Sequence, residues 1–166
     1  MALIIILVIL ALLVIYVIGA YNSLVKARNT SNAAWAQIET QLQKRFDLIP
    51  NIVETVKGYA KHESSTLQAV TDARTAVQKA QSTHDVDDMV KASSQVGMAF
   101  NAVREAYPEL KANANFLSLQ ETLEHTEESI AAARRGYNNA ATDYNNTIQI
   151  FPKNIIANMF GYKPAK

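Results

Sequence analysis

The sequence predicts an all-α membrane protein in which an N-terminal transmembrane helix continues into an antiparallel, coiled-coil-like four-helix bundle. Three observations lead there. Residues 2–20, ALIIILVILALLVIYVIGA, carry no charged, amide or hydroxyl side chain beyond the phenol of Tyr16. The rest of the chain is rich in Ala, Gln, Asn, Glu, Lys and Leu and poor in Gly and Pro, with no alternating apolar run of the kind a strand needs. Apolar residues also recur there at steps of three and four, the spacing of one helix face.

The anchor comes first. At 1.5 Å per residue, a helix over residues 2–20 is about 28 Å long, the thickness of a bilayer's hydrocarbon core. Lipid offers backbone polar groups no partner, so the segment must be helical. A cleaved secretory signal would show a basic leader, a shorter apolar run and a small-x-small cleavage site. Here the leader is bare, the run is longer and Ile18-Gly19-Ala20 is a poor site. The domain reading is therefore a transmembrane anchor (1–20), a helical bundle (21–152) and a short apolar and basic tail (153–166). Lys26 and Arg28 follow the span, with Lys44 and Arg45 further on, and only the α-amino group precedes it. The positive-inside rule then places the N-terminus outside and the bundle in the cytoplasm. The absence of Cys agrees with a reducing compartment.

The helices follow in order. The anchor is expected to run unbroken through residues 21–46, with Leu24, Ser31, Trp35, Ile38 and Leu42 on one stripe. Asp47 then stands as an N-cap, and Pro50 is tolerated in a first turn whose amides have no intrahelical partner. A second helix is expected over residues 48–81, with Ile52, Val56, Tyr59, Glu63, Thr66, Val70, Ala73 and Val77 on its inner face, and Ser82-Thr83-His84-Asp85 breaks it. A third, over residues 86–106, carries Met89, Ser93, Val96, Phe100 and Val103, followed by Tyr107 and a turn at 107–111. In the fourth, Phe116, Leu119, Leu123, Thr126, Ile130, Ala133, Tyr137, Ala140, Tyr144, Thr147 and Phe151 form a heptad seam. Its small and polar members favour packing within one bundle before self-association. Short connections make neighbouring helices antiparallel, so the fourth helix returns toward the membrane and brings the tail with it. In the tail, Phe151, Ile155, Ile156, Phe160 and Tyr162, with Met159, have two readings: a hydrophobic plug on the bundle's end, which is favoured, or a piece lying in the lipid interface.

Several strings together resemble one family. They are Tyr21-Asn22-Ser23-Leu24-Val25, Arg28-Asn29, Ala34-Trp35-Ala36-Gln37-Ile38 and the block from Lys44 through Arg45-Phe46-Asp47-Leu48-Ile49-Pro50-Asn51 to Gly58-Tyr59-Ala60. Downstream stand Ala73-Arg74, the stretch from Tyr107-Pro108 to Asn113, Asn115-Phe116-Leu117, Leu119-Gln120, Thr126-Glu127, Ile130-Ala131, Ala133-Arg134, Tyr137-Asn138, Tyr144-Asn145 and Phe151-Pro152. Over nearly its whole length the chain resembles the LemA family of bacterial membrane proteins. The resemblance implies an N-out anchor in the inner membrane, an antiparallel bundle and no established enzymatic activity. It also implies a role in membrane organisation, or in envelope stress and quality control beside a membrane zinc metalloprotease. Some members carry a lipoprotein Cys before the Tyr-Asn pair; here Gly19-Ala20 stands there, so lipidation does not carry over. Some have His where Phe46 stands, and an aromatic-acidic extension that this chain replaces with Lys163-Pro164-Ala165-Lys166.

Residues suited to chemistry are few. The three His are His62, His84 and His125. His125 shares a helix face with Glu121 and Glu128, but no His is preceded by Glu at i−3, the pair a carboxylate-bridged di-iron bundle takes from its helices. His84 to Asp88 is a helix start where acidic residues suit the macrodipole. Nucleophile elbows, zinc-protease motifs and phosphate loops are missing. The reading is no catalytic residue, no cofactor and no metal. Arg134 and Arg135, mid-helix near Glu127 and Glu128, are expected to form ion pairs within the bundle or between subunits, and Trp35 to anchor the core. Around Pro50, the residues Arg45, Asp47 and Glu54 form a candidate partner-docking corner, with Lys57 paired to Glu54; the bland reading is capping and solubilisation. A net charge of +1 argues against nucleic acid.

The functional expectation is a membrane-anchored scaffold or adaptor, partnered by the bilayer, by copies of itself and by a membrane protein such as a zinc metalloprotease. The competing classes are a carboxylate-bridged metalloenzyme and a lipid-binding, membrane-shaping module. Topology is directly testable. A C-terminal reporter active only outside the cytoplasm should stay silent, and moving a pair of Lys residues to the N-terminus should mix the orientations. A strong signal from the unmodified chain overturns the assignment.

Overall fold

With no Pro and no β-branched cluster after Ile18, nothing interrupts the first helix. It runs as α1 from Ala2 to Phe46 in the computed structural model. The structure describes residues 1–57, 64–83 and 85–165, with all side chains but those of 56, 57 and 64–67. Along the apolar segment the side chains stand open, from Leu3 at 70% exposure to Leu10 at 50%. A soluble protein's core helix would hide them; this one fits a single-pass membrane anchor. Beyond Ala20, burial narrows to a stripe dominated by every seventh residue: Leu24, Ser31, Ile38 and Arg45, joined by Leu42 and Phe46. Lys44 and Arg45 sit in the last turn, and the exposed Lys44 carries a charge of the sign that suits a helix C-terminus.

Five further α-helices follow among the described residues. They are α2 (Leu48–Lys57), α3 (Ser64–Thr83), α4 (Val86–Ala106), α5 (Ala114–Gln149) and α6 (Lys153–Met159), with a 3-10 turn at Pro108–Ala112 between α4 and α5. No strand occurs among the described residues, so the protein is all-α, an N-terminal apolar helix followed by helical-bundle packing. Residues 58–63 of the expected second helix lie outside the described residues, as do the side chains of Val56, Tyr59, Glu63 and Thr66.

Caps set the later boundaries. The Asp85 carboxylate accepts from the amides of Asp87 at 2.8 Å and Asp88 at 3.4 Å, starting α4 where the sequence predicts it. Asn113 does the same for α5, its side-chain oxygen accepting from Asn115 at 2.9 Å and Phe116 at 3.2 Å. The carboxylate of Asp47 accepts from Gln43 Nε2 at 2.8 Å, tying it back to the last turn of α1.

The chain forms two compact units, residues 1–37 with 133–166 and residues 38–132. In the first, Ala20 and Leu24 pack with Tyr144, Ile148, Ile156 and Ala157. Trp35 meets Tyr137 edge-on at 5.5 Å. Rising numbers on α1 thus meet falling numbers on α5, so the two are antiparallel, and α6 folds back onto both. In the second unit, α3 and α4 pack side by side across a short link, burying Val70, Ala73, Val77 and Ala80 from one and Met89, Ser93, Val96, Phe100 and Val103 from the other. Phe100 stacks on Phe116 at 4.4 Å, and Gln81 Nε2 donates to Gln43 Oε1 at 2.6 Å.

The α5 seam buries Phe116, Leu119, Leu123, Thr126, Ile130, Tyr137 and Tyr144, with Ala133 half-buried, but it shifts phase after Tyr137. Ala140 and Thr147 are half-buried, while Ala141 and Ile148 take the inner positions. A straight helix repeats every 3.6 residues rather than 3.5, so a heptad stripe drifts around it. The last expected seam residue, Phe151, lies past the helix end and is 74% exposed, so it is not part of the seam.

The phase of α5 is testable. Leu123→Ala, at a position 5% exposed, should cost about 2–5 kcal/mol in detergent-solubilised unfolding followed by circular dichroism. Its exposed neighbour Glu124, changed to Ala, should cost under about 0.5 kcal/mol. Equal losses would contradict the observed seam.

Candidate interaction surfaces

The end of α1, α2 and α3 enclose a groove of about 500 Å³ in the second unit. Phe46, Ile49, Val53 and Val77 line it with apolar surface, while Asp47, Glu54, Arg74 and the Gln residues at 43, 78 and 81 supply polar groups. Asp47, Pro50 and Glu54 of the expected docking corner all face this groove. Glu54 also borders a second, polar groove of about 520 Å³, shared with Asn51, Thr55, Asn113, Asn115 and Ser118. A mixed apolar and amide-rich lining suits a peptide or helix edge better than a small charged metabolite. The side chain of Lys57, expected to pair with Glu54, lies outside the described residues.

Arg45, the fourth residue of that corner, is not on this surface. It is 6% exposed and turned into the bundle. The α-helical periodicity explains why: Arg45 continues the buried stripe of Leu24, Ser31 and Ile38. Gly97 on α4 makes room for it, since a Cβ there would stand 2.7 Å from Arg45 Nη2. Loss of water around the guanidinium lowers its proton affinity, and the nearby Glu127 carboxylate raises it. Among the described residues Arg45 Nε and Ser93 Oγ find no hydrogen-bond partner. An arginine stays charged in such a place, so the bundle carries a partly compensated cation.

The first unit holds a different arrangement around the start of the soluble part of α1. Through a cis Phe151–Pro152 bond the chain turns into α6. Ile156 and Ala157 face inward against Ala20 and Leu24. Tyr144 Oη donates to the Lys163 carbonyl at 2.7 Å. Asn145 closes a two-sided clasp on Ala165, accepting from its amide at 2.8 Å and donating to its carbonyl at 3.3 Å. Lys153 Nζ reaches Ser23 Oγ at 3.2 Å. Tyr21 packs on Phe160 at 4.9 Å and on Tyr162 at 6.4 Å, and the Arg28 guanidinium lies over the Tyr162 ring at 4.9 Å. Burial pushes the Tyr144 phenol up, with Arg28 pulling the other way, so it remains a protonated donor at neutral pH. Of the tail residues singled out in the sequence, Ile156 is buried and Tyr162 half-buried, whereas Phe151, Ile155 and Phe160 face outward. The tail is thus a plug along one side of α6 only. Periodicity missed the Asn145 clasp; its one trace in the sequence is the Tyr144-Asn145 pair.

His125, Glu121 and Glu128 are exposed, as are Arg134 and Arg135. Among the described residues no group of three or more metal-capable side chains converges. His62 and His84 lie outside them.

An exposed apolar span continuing into bundled helices, with a clasped tail at the junction, makes an all-α helical-bundle protein whose first helix fits a membrane anchor. The particular family emerges from comparison. The model of the LemA family matches residues 34–166, and the chain belongs to that family. Protein LemA of Metamycoplasma hominis is 31% identical over 145 residues, covering 84% of this chain and 64% of the relative. Magnetosome proteins MamQ 2 and MamQ 1 of Paramagnetospirillum magneticum are each 25% identical over 172 residues, covering 88% of this chain and 63% of theirs. The chain therefore spans just under two thirds of the length of these relatives.

The Arg45–Gly97 contact makes a stability prediction. Gly97→Ala should cost about 1 kcal/mol, at the low end for overpacking because the guanidinium is the flexible end of its side chain. Arg45→Met should leave stability unchanged or raise it, by up to about 4 kcal/mol, because it removes a buried charge while keeping apolar volume. In the double variant the Gly97→Ala penalty should vanish; additive losses in thermal unfolding would show that the two sites do not share space.

Proposed function

We propose that this protein is a membrane-anchored helical scaffold or adaptor that assembles with copies of itself and docks other membrane proteins, and that it works without catalysis. The observation that carries this reading is α1 itself. One unbroken helix joins an exposed apolar span to the bundle, and past Ala20 it buries only a narrow stripe. The opposite face, with Asn22, Lys26, Asn29, Ala33 and Gln37, is exposed and polar around the small Ala33, which leaves it open to a second helix. Anchoring confines the chains to a surface and raises their effective concentration. Leu- and Ile-rich segments gain no hydrophobic drive to associate within lipid, so the contacts come from residues 21–166. The groove at Asp47, Pro50 and Glu54 serves as the docking site for a second protein. Family resemblance favours a membrane zinc metalloprotease there, in membrane organisation or envelope quality control. Lys26 and Arg28 favour the cytoplasmic side of a bacterial inner membrane for the bundle.

Assembly is the test. Light scattering in mild detergent should show association that rises with concentration, and deletion of residues 1–20 should weaken it without abolishing it. Because the chain has no Cys, Ala33→Cys introduces a single thiol, which should form disulfide-linked dimers when isolated membranes are treated with copper–phenanthroline as oxidant, since the cytoplasm itself keeps thiols reduced. A strict monomer at all concentrations, with no crosslink from Ala33→Cys, overturns the proposal.

A further inference from the structure

The exposed apolar side chains outside the span are unevenly placed. Among the described residues, Ile150 (58%), Phe151 (74%), Ile155 (51%), Met159 (74%) and Phe160 (54%) crowd into one short stretch, against Met98 and Leu117 elsewhere beyond Tyr21. A few scattered exposed apolar residues are ordinary, but a cluster of five marks a contact surface. We propose that α6 and the turn before it make a second contact with the bilayer that holds the anchor, lying in the lipid interface with Ile150, Phe151, Ile155, Met159 and Phe160 turned into it. The proposal rests on the anchored reading of α1 and deepens it.

Position identifies the occupant. The inner side of α6 packs at Ala20 and Leu24, and Val17, inside the apolar span, borders the same core. α6 therefore sits at the level where α1 leaves the hydrocarbon. Its open side is continuous with the lipid-facing surface of the span, through the contact between Tyr21 and Phe160. The chemistry around it matches the headgroup zone. Tyr16, Tyr21 and Tyr162 supply aromatic rings with a polar edge, the residue type enriched at membrane interfaces. Lys153 is held by Ser23, and Arg28 by the face of Tyr162, while Lys26 and Lys163 are exposed. These cations sit beside the apolar patch, the pairing that draws an amphipathic helix onto anionic lipid. The tail is also held in place. The Asn145 clasp and the bond from Tyr144 to Lys163 hold the chain beyond α6. The apolar side is thus presented before lipid is met, with less entropy to lose than a free amphipathic segment has.

Full-length protein reconstituted in vesicles of phosphatidylcholine and phosphatidylglycerol tests this. Met159→Cys carries an environment-sensitive fluorophore, Ile155→Cys provides an independent second position, and Val8→Cys reports on the span. Lipid-borne nitroxide at headgroup depth should remove most of the fluorescence at 159 and 155, and aqueous iodide should remove little. If the Val8 probe is quenched by lipid nitroxide while 155 and 159 respond only to iodide, the anchor stands and the α6 proposal is overturned. If 155 and 159 are shielded from both quenchers, a second copy or another protein covers the face, which also overturns it. A Val8 probe open to iodide and insensitive to lipid nitroxide removes the anchored reading itself.

Discussion

Once in lipid, residues 2–20 must satisfy every backbone N–H and C=O within their own segment, and only a helix lets a lone segment do so. No helix breaker separates that segment from the soluble turns beyond it, so the backbone ladder carries on through Ala20 to Phe46. Helix nucleation is costly and propagation is not, so a helix formed over this segment extends at little further cost into the turns beyond it. Much else depends on this rod. The first unit forms where α5 and α6 pack against its early soluble turns, and its last turn contributes Phe46 and the buried Arg45 to the second unit.

The junction between span and bundle is where apolar and polar demands meet. Inward, Ile156 and Ala157 complete a small core with Ala20 and Leu24. Around them the polar contacts are specific: the amide of Asn145 satisfies both backbone groups of Ala165, and Tyr144 satisfies the carbonyl of Lys163. Unpaired backbone groups next to an apolar core would be costly, so these side chains allow an irregular tail to lie against the helices. One short helix can then hide one side and present the other.

Arg45 obeys a different logic. A buried guanidinium that only partly regains from the Glu127 carboxylate what it loses in hydration is expensive to maintain, and a hydrophobic side chain of similar size would suit the bundle as well or better. Gly97, which gives up helix propensity to leave space, adds to that cost. The pair contributes fit more than stability: Gly97 is where α4 accommodates the end of α1, so the guanidinium favours that one register.

The sequence by itself determined the span, the unbroken α1, the limits of α4 and the inward phase of most of α5, Tyr137 and Tyr144 included. Each is written in local terms, as charge-free length, a cap residue beside its helix or apolar residues at helical spacing. Tertiary structure alone decided which way Arg45 turned, because a charged residue on an apolar stripe is legible only once a glycine opposite offers space. It decided that Phe151 left the seam and Ile148 entered it, since a small drift per turn accumulates and neighbouring helices select the final phase. It also decided that Ile156 faces protein while Ile155 and Met159 face outward. Residues so close in sequence and so alike in hydrophobicity differ only in which of them α1 and α5 can reach, and the contacts to α1 bridge more than a hundred residues of chain.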